Sequence, residues 1–297
     1  MSRGSRTAWI APGAHVRVVA PSSPFEADAF LRGVEKLRSR YTVSYDERIL
    51  ERTGYFAGDD ARRLAELQGA ISDPGVHAII AARGGYGATR LLPKLYLRSE
   101  RDKPKLLVGF SDVTALHALW ARAGIASLHG PMVATLGNAS TALTARYFEA
   151  LEGRGPAAVS GSVLAGEGAA SGVLRGGNLA VLAALLGTPH FPDLHEAVLF
   201  LEDTNERPYR VDRMLTSLRN AGVLSGLRGV ALGAFNNAEP GPDGVTFADV
   251  FRDRLGDLGV PVLSELPAGH VDDNLELPLG TRVTIDCASA ELRFDER

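Results

Sequence analysis

Short apolar runs alternate with amphipathic stretches over residues 16–151 of this chain. This alternation constrains the fold strongly, because successive strands that are joined by helices run parallel and are buried on both faces. Strands are predicted at 16–20, 42–45, 77–82, 106–110 and 125–128, and helices at 26–40, 60–71, 88–95 and 112–122. We therefore expect an α/β fold with a doubly wound, mostly parallel sheet.

A change in composition divides the chain in the middle. Residues 153–172 read GRGPAAVSGSVLAGEGAASG and have little apolar periodicity. Since 297 residues are long for one hydrophobic core, at roughly 100–200 residues per domain, two domains are expected. We predict an N-terminal α/β domain over 14–152, a linker over 153–172 and a smaller C-terminal α/β domain over 173–297. The last domain is predicted to have helices at 179–186 and 211–220, strands at 197–202 and 229–235, and a closing β-hairpin formed by 281–286 and 291–294.

Composition argues against several classes of function. The net charge is −3 and no block of lysine or arginine could neutralise a row of phosphates, so we expect no nucleic-acid partner. The single cysteine, Cys287, excludes an intramolecular disulfide framework and a site built from several thiolates. No apolar run approaches the ~18 residues of a membrane span. We expect a cytoplasmic protein that has no membrane partner.

Ser111 directly follows the strand predicted at 106–110 and precedes a helix. Ligands of open parallel sheets bind beyond the carboxyl ends of the strands, and a helix N-terminus there supplies N–H groups that suit an oxyanion. Gly109 gives the turn room, as in a nucleophile elbow, but Val113 stands where the G-x-S-x-G pattern has its second glycine. The same sequence is equally typical of a serine that caps a helix.

The segment Arg83-Gly-Gly-Tyr-Gly also follows a predicted strand and leads into a helix. Glycines let a backbone approach a ligand closely and present bare N–H groups to it. The turn therefore suits an oxyanion hole or a phosphate cradle, although it lacks the Lys-Ser/Thr that follows the glycines of a P-loop. A merely tight turn would look the same.

A serine nucleophile needs a base, and several histidines compete for that role. The candidates are His15, His77, His117, His129, His190, His195 and His270. His117 lies six residues after Ser111 on one helix, about 9 Å further along, and His77 begins its strand, so neither suits the role. His129, at the end of a predicted strand, and His270, in a glycine-led loop, remain open.

Three acids could orient such a histidine: Glu202, Asp203 and Glu206. Glu202 ends an apolar strand, and a buried carboxylate requires a partner such as an imidazole N–H. Asp203 and Glu206 are better explained as caps of the helix that begins near Pro208.

Four separated segments form a recognisable pattern. They are Arg83-Gly-Gly-Tyr-Gly, Gly109-Phe-Ser-Asp, Leu201-Glu-Asp-Thr-Asn-Glu-Arg-Pro-Tyr-Arg-Val-Asp and Gly269-His, with Val18-Val-Ala-Pro-Ser-Ser-Pro and Arg175-Gly-Gly-Asn-Leu as further matching segments. In this order they resemble the LD-carboxypeptidase family of serine peptidases. The resemblance covers about residues 16–294.

The resemblance implies a catalytic set of Ser111, Glu202 and His270. It also implies an oxyanion hole made from the backbone N–H of Asp112 and that of Gly84 or Gly85, of which we favour Gly85. The fold it implies has an N-terminal α/β domain with the serine and a smaller C-terminal domain with the glutamate and the histidine. It further implies a homodimer that uses no cofactor and no metal.

The implied reaction is release of the terminal D-alanine from muropeptide tetrapeptides through an acyl-enzyme, in peptidoglycan recycling. An alternative is an immunity peptidase of the same family that cleaves peptide-nucleotide or aminoacyl-sulfamate antibiotics. Those relatives carry an aromatic in an inserted loop, whereas residues 153–174 here contain none. An alternative of another class is a nucleotide- or phosphate-binding protein that uses the turn of residues 84–87, in which Ser111 would be dispensable. The candidates for holding the substrate carboxylate are Arg83, Arg90 and Arg210.

Overall fold

The computed structural model describes residues 6–97 and 103–295 of the chain, which folds as two compact units. Among the described residues, the N-terminal unit comprises 6–155 together with Glu276–Pro278. The C-terminal unit comprises Pro156–Leu275 together with 279–295.

The N-terminal unit is built on a six-stranded sheet. Its strands are β1 (His15–Val19), β2 (Thr42–Ser44), β3 (Ala78–Ala81), β4 (Leu106–Gly109), β5 (Ser127–His129) and β12 (Leu277–Leu279). They lie in the order β12-β5-β4-β3-β1-β2, and the first five strands in sequence run parallel. Every residue of β3 and β4 is buried, which is typical of central strands in a sheet that is covered on both faces.

Helices connect these strands. They are α1 (Ala27–Arg38), α2 (Asp60–Ser72), α3 (Ala88–Leu91), α4 (Thr114–Arg122), α5 (Val133–Asn138) and α6 (Thr141–Leu151). Because β2 lies on one side of β1 and β3 to β5 follow on the other, the direction of winding reverses between β1 and β3. In open α/β sheets ligands bind beyond the carboxyl ends of the strands at such a reversal. The turns after β1, β3 and β4 are therefore the expected location of a site in this unit.

The C-terminal unit contains an eight-stranded mixed sheet. Its strands are β6 (Ala158–Ser160), β7 (Ser162–Ala165), β8 (Ala169–Asn178), β9 (Ala197–Thr204), β10 (Gly229–Asn236), β11 (Val262–Ser264), β13 (Arg282–Asp286) and β14 (Glu291–Phe294), and its helices are α7 (Leu179–Ala184), α8 (Pro208–Asn220) and α9 (Phe247–Leu255). The order is β6-β14-β13-β8-β9-β10-β11-β7, with β8 to β11 parallel and the outer pairs antiparallel. Apolar side chains such as Leu199, Leu215 and Phe251 form one buried cluster between the parallel strands and the helices.

The predicted fold class is confirmed, including the parallel sheet of the N-terminal unit and the closing hairpin, in which β13 pairs antiparallel with β14. The segment 153–172, predicted as a linker, instead contains β6, β7 and the start of β8. Its glycines serve turns, since Gly166 and Gly168 have φ of 76° and 72°. Glu276–Pro278, predicted within the C-terminal domain, groups with the N-terminal unit because β12 joins that unit's sheet.

Candidate active site

Ser111 occupies a sharp turn immediately beyond β4. Phe110 before it is extended, with φ of −151°, whereas Ser111 itself has φ of 62° and begins a 3₁₀ turn that leads into α4. A non-glycine residue in this conformation costs on the order of 1–3 kcal/mol and persists where the surrounding structure requires it. The cap positions of the 3₁₀ turn and of α4 are Phe110 and Val113, so Ser111 is not the residue that caps the helix. The strand β4, the strained Ser111 and the helix α4 together have the geometry of a nucleophile elbow.

Gly109 and Val113 explain how this elbow forms without the second glycine of the usual pattern. A side chain at position 109 would place its Cβ 2.9 Å from both Val113 Cγ atoms, and Gly109 has φ of 159°. The valine therefore packs over the glycine, so that the bulk at position 113 is accommodated by the absence of a side chain at 109.

The glycine turn that follows β3 packs directly against the serine. A Cβ at Gly84 would lie 3.0 Å from Ser111 Cβ and 3.3 Å from Ser111 Oγ, whereas a Cβ at Gly85, which has φ of 104°, would collide with Ser23. Tyr86 N–H donates to Ser23 Oγ at 3.1 Å. Within the described part of the chain, no hydrogen bond engages the N–H groups of Gly84 and Gly85. These two N–H groups thus remain possible donors to a ligand beside Ser111.

The Asp112 side chain holds the elbow in place. Its buried Oδ2 accepts hydrogen bonds from Ser22 Oγ at 2.6 Å and from Ala88 N at 2.8 Å, so that it joins the turns after β1, β3 and β4. Burial raises the pKa of this carboxyl group above its ordinary value. Because Asp112 already occupies the first N–H of α3, the structure disfavours a phosphate cradle at that helix start.

Two histidines of the N-terminal unit are buried beside the elbow. His117 Nε2 bonds to the Gly109 carbonyl at 2.9 Å, so this nitrogen carries the proton, and Nδ1 accepts from Ser127 Oγ at 2.8 Å. Burial lowers the pKa of His117 to about 3, which keeps the ring neutral. His129 is fully buried at the end of β5, with its ring 5.8 Å from that of Phe110. His117 therefore has a structural role, because both of its ring nitrogens are bonded within the unit and its ring stays neutral.

In the C-terminal unit, Glu202 and His270 form a hydrogen-bonded pair. Glu202 is fully buried in β9, and its Oε2 lies 2.8 Å from His270 Nδ1. An ionised carboxylate only accepts, so Nδ1 donates and Nε2 is the unprotonated nitrogen of the neutral ring. Gly269 makes this approach possible: it has φ of 115°, and a Cβ there would lie 2.7 Å from Glu202 Oε2.

The loop that carries His270 is fastened at several backbone positions. Asn236 Nδ2 donates to the His270 carbonyl, Ala234 N donates to the Ala268 carbonyl at 2.9 Å, and Gly269 N donates to Asn274 Oδ1 at 2.8 Å. Sequence reasoning missed Asn236 and Asn274. The position of Asn274, four residues after His270 in the same loop, was a signal that could have revealed its role. Asn236 offered no such signal, because it bonds to a residue 34 positions away.

Asp203 differs from its neighbour Glu202 in what it binds. Its Oδ1 accepts from Asn178 Nδ2 at 3.0 Å and its Oδ2 accepts from Ala180 N at 2.9 Å, so it caps α7 rather than α8 as predicted. The reason is topological: β9 lies beside β8, and α7 begins where β8 ends. Burial raises the pKa of Asp203 to about 6.

The remaining charged candidates have partners within the protein. Glu206 pairs with Arg210 at 3.4 Å instead of capping α8. Arg90 forms a 2.6 Å ion pair with Asp60, and the exposed Arg83 reaches the Pro24 carbonyl at 3.4 Å. Within residues 6–97 and 103–295, no group of three or more His, Cys, Asp or Glu side chains is arranged to hold a metal ion. None of the helices described there combines the length and apolarity of a transmembrane segment.

Comparison with known proteins matches both units to one family. The LD-carboxypeptidase N-terminal domain matches residues 16–130, and the LD-carboxypeptidase C-terminal domain matches residues 171–285. A Streptomyces coelicolor protein named as a carboxypeptidase is 40% identical over 98% of this chain and 96% of its own. The murein tetrapeptide carboxypeptidase of Pseudomonas aeruginosa is 29% identical over 94% of this chain and 95% of its own.

Solved structures agree with this assignment. The muramoyltetrapeptide carboxypeptidase from Oxalobacter formigenes superposes with a TM-score of 0.81 at 30% identity, covering 94% of this chain and 97% of that one. The microcin C7 self immunity protein shares the fold, with a TM-score of 0.85 at 22% identity over 98% of each chain. The two domain matches, the 40% identical relative and the two-unit fold together show that this chain belongs to the LD-carboxypeptidase family.

Proposed function

We propose that this protein is a serine LD-carboxypeptidase that releases the terminal D-alanine from murein tetrapeptides. The observation that carries the proposal is the conformation of Ser111, held at φ of 62° beyond β4 with the Gly84 backbone against it. Relatives named as murein tetrapeptide and muramoyltetrapeptide carboxypeptidases support this substrate. The cytoplasmic location and the homodimer remain predictions.

In the proposed mechanism, Ser111 Oγ attacks the carbonyl carbon of the bond between the third residue and D-alanine. His270 Nε2 accepts the serine proton and then donates it to the departing amine of D-alanine. Glu202 holds the imidazole through Nδ1–H and stabilises the imidazolium that forms. Ser111 belongs to the N-terminal unit, and Glu202 and His270 belong to the C-terminal unit.

Backbone N–H groups are proposed to stabilise the negative charge that develops on the carbonyl oxygen. The donors are the N–H of Asp112, at the helix start, and that of Gly84 or Gly85. Donors already aimed at a developing oxyanion are worth about 3 kcal/mol each. The acyl-enzyme on Ser111 is then hydrolysed by a water molecule from which His270 Nε2 takes a proton, which returns to Ser111 as the acyl group leaves.

The alternatives receive less support. The likeness to the microcin immunity protein, at 22% identity, shows only a shared fold and gives no evidence about the substrate. A phosphate-binding role for residues 84–87 is disfavoured because Asp112 occupies the Ala88 N–H.

The proposal is tested by incubating the purified protein with a murein tetrapeptide and following the products by mass spectrometry. We expect loss of one alanine by the native protein, with and without a chelator, and no loss by Ser111→Ala. A tetrapeptide that ends in L-alanine serves as the matched substrate control and should remain intact. Near-normal turnover by Ser111→Ala would reject the serine mechanism, and cleavage of both stereoisomers alike would reject the L,D specificity.

A further inference from the structure

One loop of the N-terminal unit contacts both segments whose N–H groups are proposed to bind the oxyanion. It consists of residues 20–23, and we call it the β1 loop because it follows strand β1. Ser23 N donates to the Gly84 carbonyl at 3.2 Å, and the fully buried Ser22 donates from Oγ to Asp112 at 2.6 Å. The position of the β1 loop therefore sets the position of both the glycine turn and the Ser111 elbow.

Helix α2 holds the β1 loop with charged side chains that are almost fully buried. Arg62, Arg63 and Glu66 are 6%, 0% and 6% exposed. Glu66 accepts from Ala20 N at 2.7 Å and pairs with Arg62, while Arg63 donates from Nη1 to the Pro21 carbonyl. Because charged groups are costly to remove from water and buried ion pairs often add little net stability, a role in fixing the loop explains these residues better than stability does.

Arg63 is the most enclosed of the three. Its Nη2 donates to Asp60, and its guanidinium carbon lies 4.4 Å from the centre of the Phe56 ring. Gly87, at the end of the glycine turn, packs directly on it, since a Cβ at that position would collide with Arg63 Nη1. The guanidinium group thus contacts both the β1 loop and the glycine turn.

The positive charge of Arg63 also acts on Asp112. That carboxyl group is 2% exposed, and its two hydrogen-bond donors, Ser22 Oγ and Ala88 N, are neutral. Burial raises the pKa of Asp112, whereas the two hydrogen bonds and the Arg63 charge oppose that rise. Arg63 therefore favours the ionised carboxylate, which is the stronger acceptor for the bonds that join the three turns.

We propose that Arg63 is a positioning residue for the oxyanion hole, because it holds the β1 loop against the glycine turn and the Ser111 elbow. This inference rests on the proposed function. Arg63 contacts no reacting atom in this role; it fixes the loop, and the serines of the loop fix the donors. Donors that move away from the oxyanion stabilise the transition state less, while ground-state binding of the substrate changes little. Loss of Arg63 should therefore lower kcat and leave KM nearly unchanged.

The kinetic test measures kcat and KM separately on the murein tetrapeptide. Arg63→Met should lower kcat about ten- to a hundredfold and change KM less than about threefold. Arg63→Lys, which keeps the charge and a donor for the Pro21 carbonyl, should recover part of the lost kcat. Arg40→Met is the matched control: it removes a partly buried arginine of the same unit, which pairs with Glu152, and should leave kcat unchanged. Native kcat in Arg63→Met, or a loss confined to KM, would overturn the inference.

Chemical rescue separates positioning from general destabilisation. Arg63→Ala leaves a cavity in place of the guanidinium group. Free guanidinium, added well below the concentrations that unfold the native protein, should therefore raise the kcat of this variant. Arg63→Met fills the same space and should not respond. Equal responses of the two variants would contradict the proposed role.

A second site tests the route from Arg63 to the oxyanion donors even if the Arg63 variants unfold. Ser22→Ala keeps the guanidinium group in place and removes the hydrogen bond that joins the β1 loop to Asp112. We expect kcat to fall about three- to tenfold, the size of one buried hydrogen bond, with KM unchanged. An unchanged kcat in Ser22→Ala would show that the β1 loop does not position the donors.

A fluorophosphonate probe separates this inference from the proposed function. Ser111 Oγ attacks the phosphorus atom, the P–F bond breaks and fluoride leaves, so that labelling needs the serine and the oxyanion donors but no murein peptide. The labelling rates of the native protein, Arg63→Met and Arg40→Met are followed by intact-protein mass spectrometry. Arg63→Met should be labelled more slowly than the other two, even if no tetrapeptide is cleaved and the substrate assignment fails. Equal rates in all three proteins would overturn the inference even if the tetrapeptide is cleaved.

Discussion

The Ser111 elbow and the His270 loop each combine a buried carboxylate with a histidine, but the two regions use these groups differently. In the elbow, Asp112 bonds to Ser22 and Ala88, and His117 bonds to Gly109 and Ser127, so that neither group pairs with the other. At the loop, by contrast, Glu202 of β9 bonds directly to His270.

This difference indicates which polar groups support the fold and which suit proton transfer. A histidine enclosed by neutral partners, like His117, keeps a pKa near 3 and cannot accept a proton near neutral pH. The His270 ring is 22% exposed, and its Nδ1 is hydrogen-bonded to the Glu202 carboxylate, which leaves Nε2 as the acceptor nitrogen of the ring. In the proposed mechanism, the elbow therefore supplies rigid geometry and the loop supplies the base.

The largest expected effect comes from removing the hydroxyl of Ser111. Ser111→Ala should lower kcat on a tetrapeptide by at least about 10³-fold, because loss of one member of a catalytic set costs nearly as much as loss of all. Ser111→Gly should be equally inactive but about 1 kcal/mol more stable than Ser111→Ala in urea unfolding, since glycine adopts φ of 62° without strain. Equal stability of the two variants would show that the elbow stores no strain.

The second prediction contrasts the histidines. His270→Ala and Glu202→Ala should each reduce kcat by roughly 10³-fold or more. His117→Ala should instead reduce the free energy of unfolding by about 1–3 kcal/mol, because buried partners lose a hydrogen bond. Steady-state kinetics and urea unfolding of the three variants check this. Wild-type kcat in His270→Ala, or inactivity of a fully folded His117→Ala, would reverse the assignment of the two regions.

Two glycine substitutions probe the same contrast with a smaller effect on rate. Gly84→Ala would add a methyl group 3.3 Å from Ser111 Oγ and should lower kcat/KM about tenfold or more while leaving stability nearly unchanged. Gly269→Ala, at φ of 115° and against Glu202, should reduce both kcat/KM and stability, the latter by about 2 kcal/mol. Activity assays combined with thermal unfolding distinguish loss of activity alone from loss of both activity and stability. A destabilised Gly84→Ala would contradict the prediction for that variant.

The smallest expected effect concerns Asp203, which is adjacent to Glu202 but is bonded like Asp112. Its folded-state pKa of about 6 lies above the ordinary 3.8, so the protonated form is favoured by folding. Its contribution to stability is present below pH 4 and is lost as the pH rises towards 6. Asp203→Asn should therefore show a smaller fall in unfolding free energy than the native protein between pH 4 and 6 in urea titrations. An equal fall in unfolding free energy in the variant and the native protein would show that Asp203 is not the source of this pH dependence.

Local sequence was sufficient to predict much of the N-terminal unit. The predicted strand 77–82 corresponds to β3 and the predicted strand 106–110 to β4, because buried parallel strands leave continuous apolar runs. β6, β7 and β12 were not predicted. They are three or four residues long and gain stability from neighbours far away in the chain, such as β11 for β7. The roles assigned to Ser111, Glu202 and His270 stay predictions until the variants are measured.

The sequence by itself determined the alternation of strands and helices, the strand-to-helix turn at Ser111 and the family pattern, because these features depend on the periodicity and glycine content of neighbouring residues. The left-handed conformation of Ser111, which distinguishes an elbow from a helix cap, came only from the structure. Only the tertiary structure decided which polar groups meet. Asp112 joins Ser22 across 90 residues, and Glu202 joins His270 across 68. The tertiary structure also showed that Asp203 caps α7, whereas the sequence had predicted a cap of α8. Such pairings depend on which strands become neighbours in the sheet, and the hydrophobic pattern of a single strand carries no record of its neighbours.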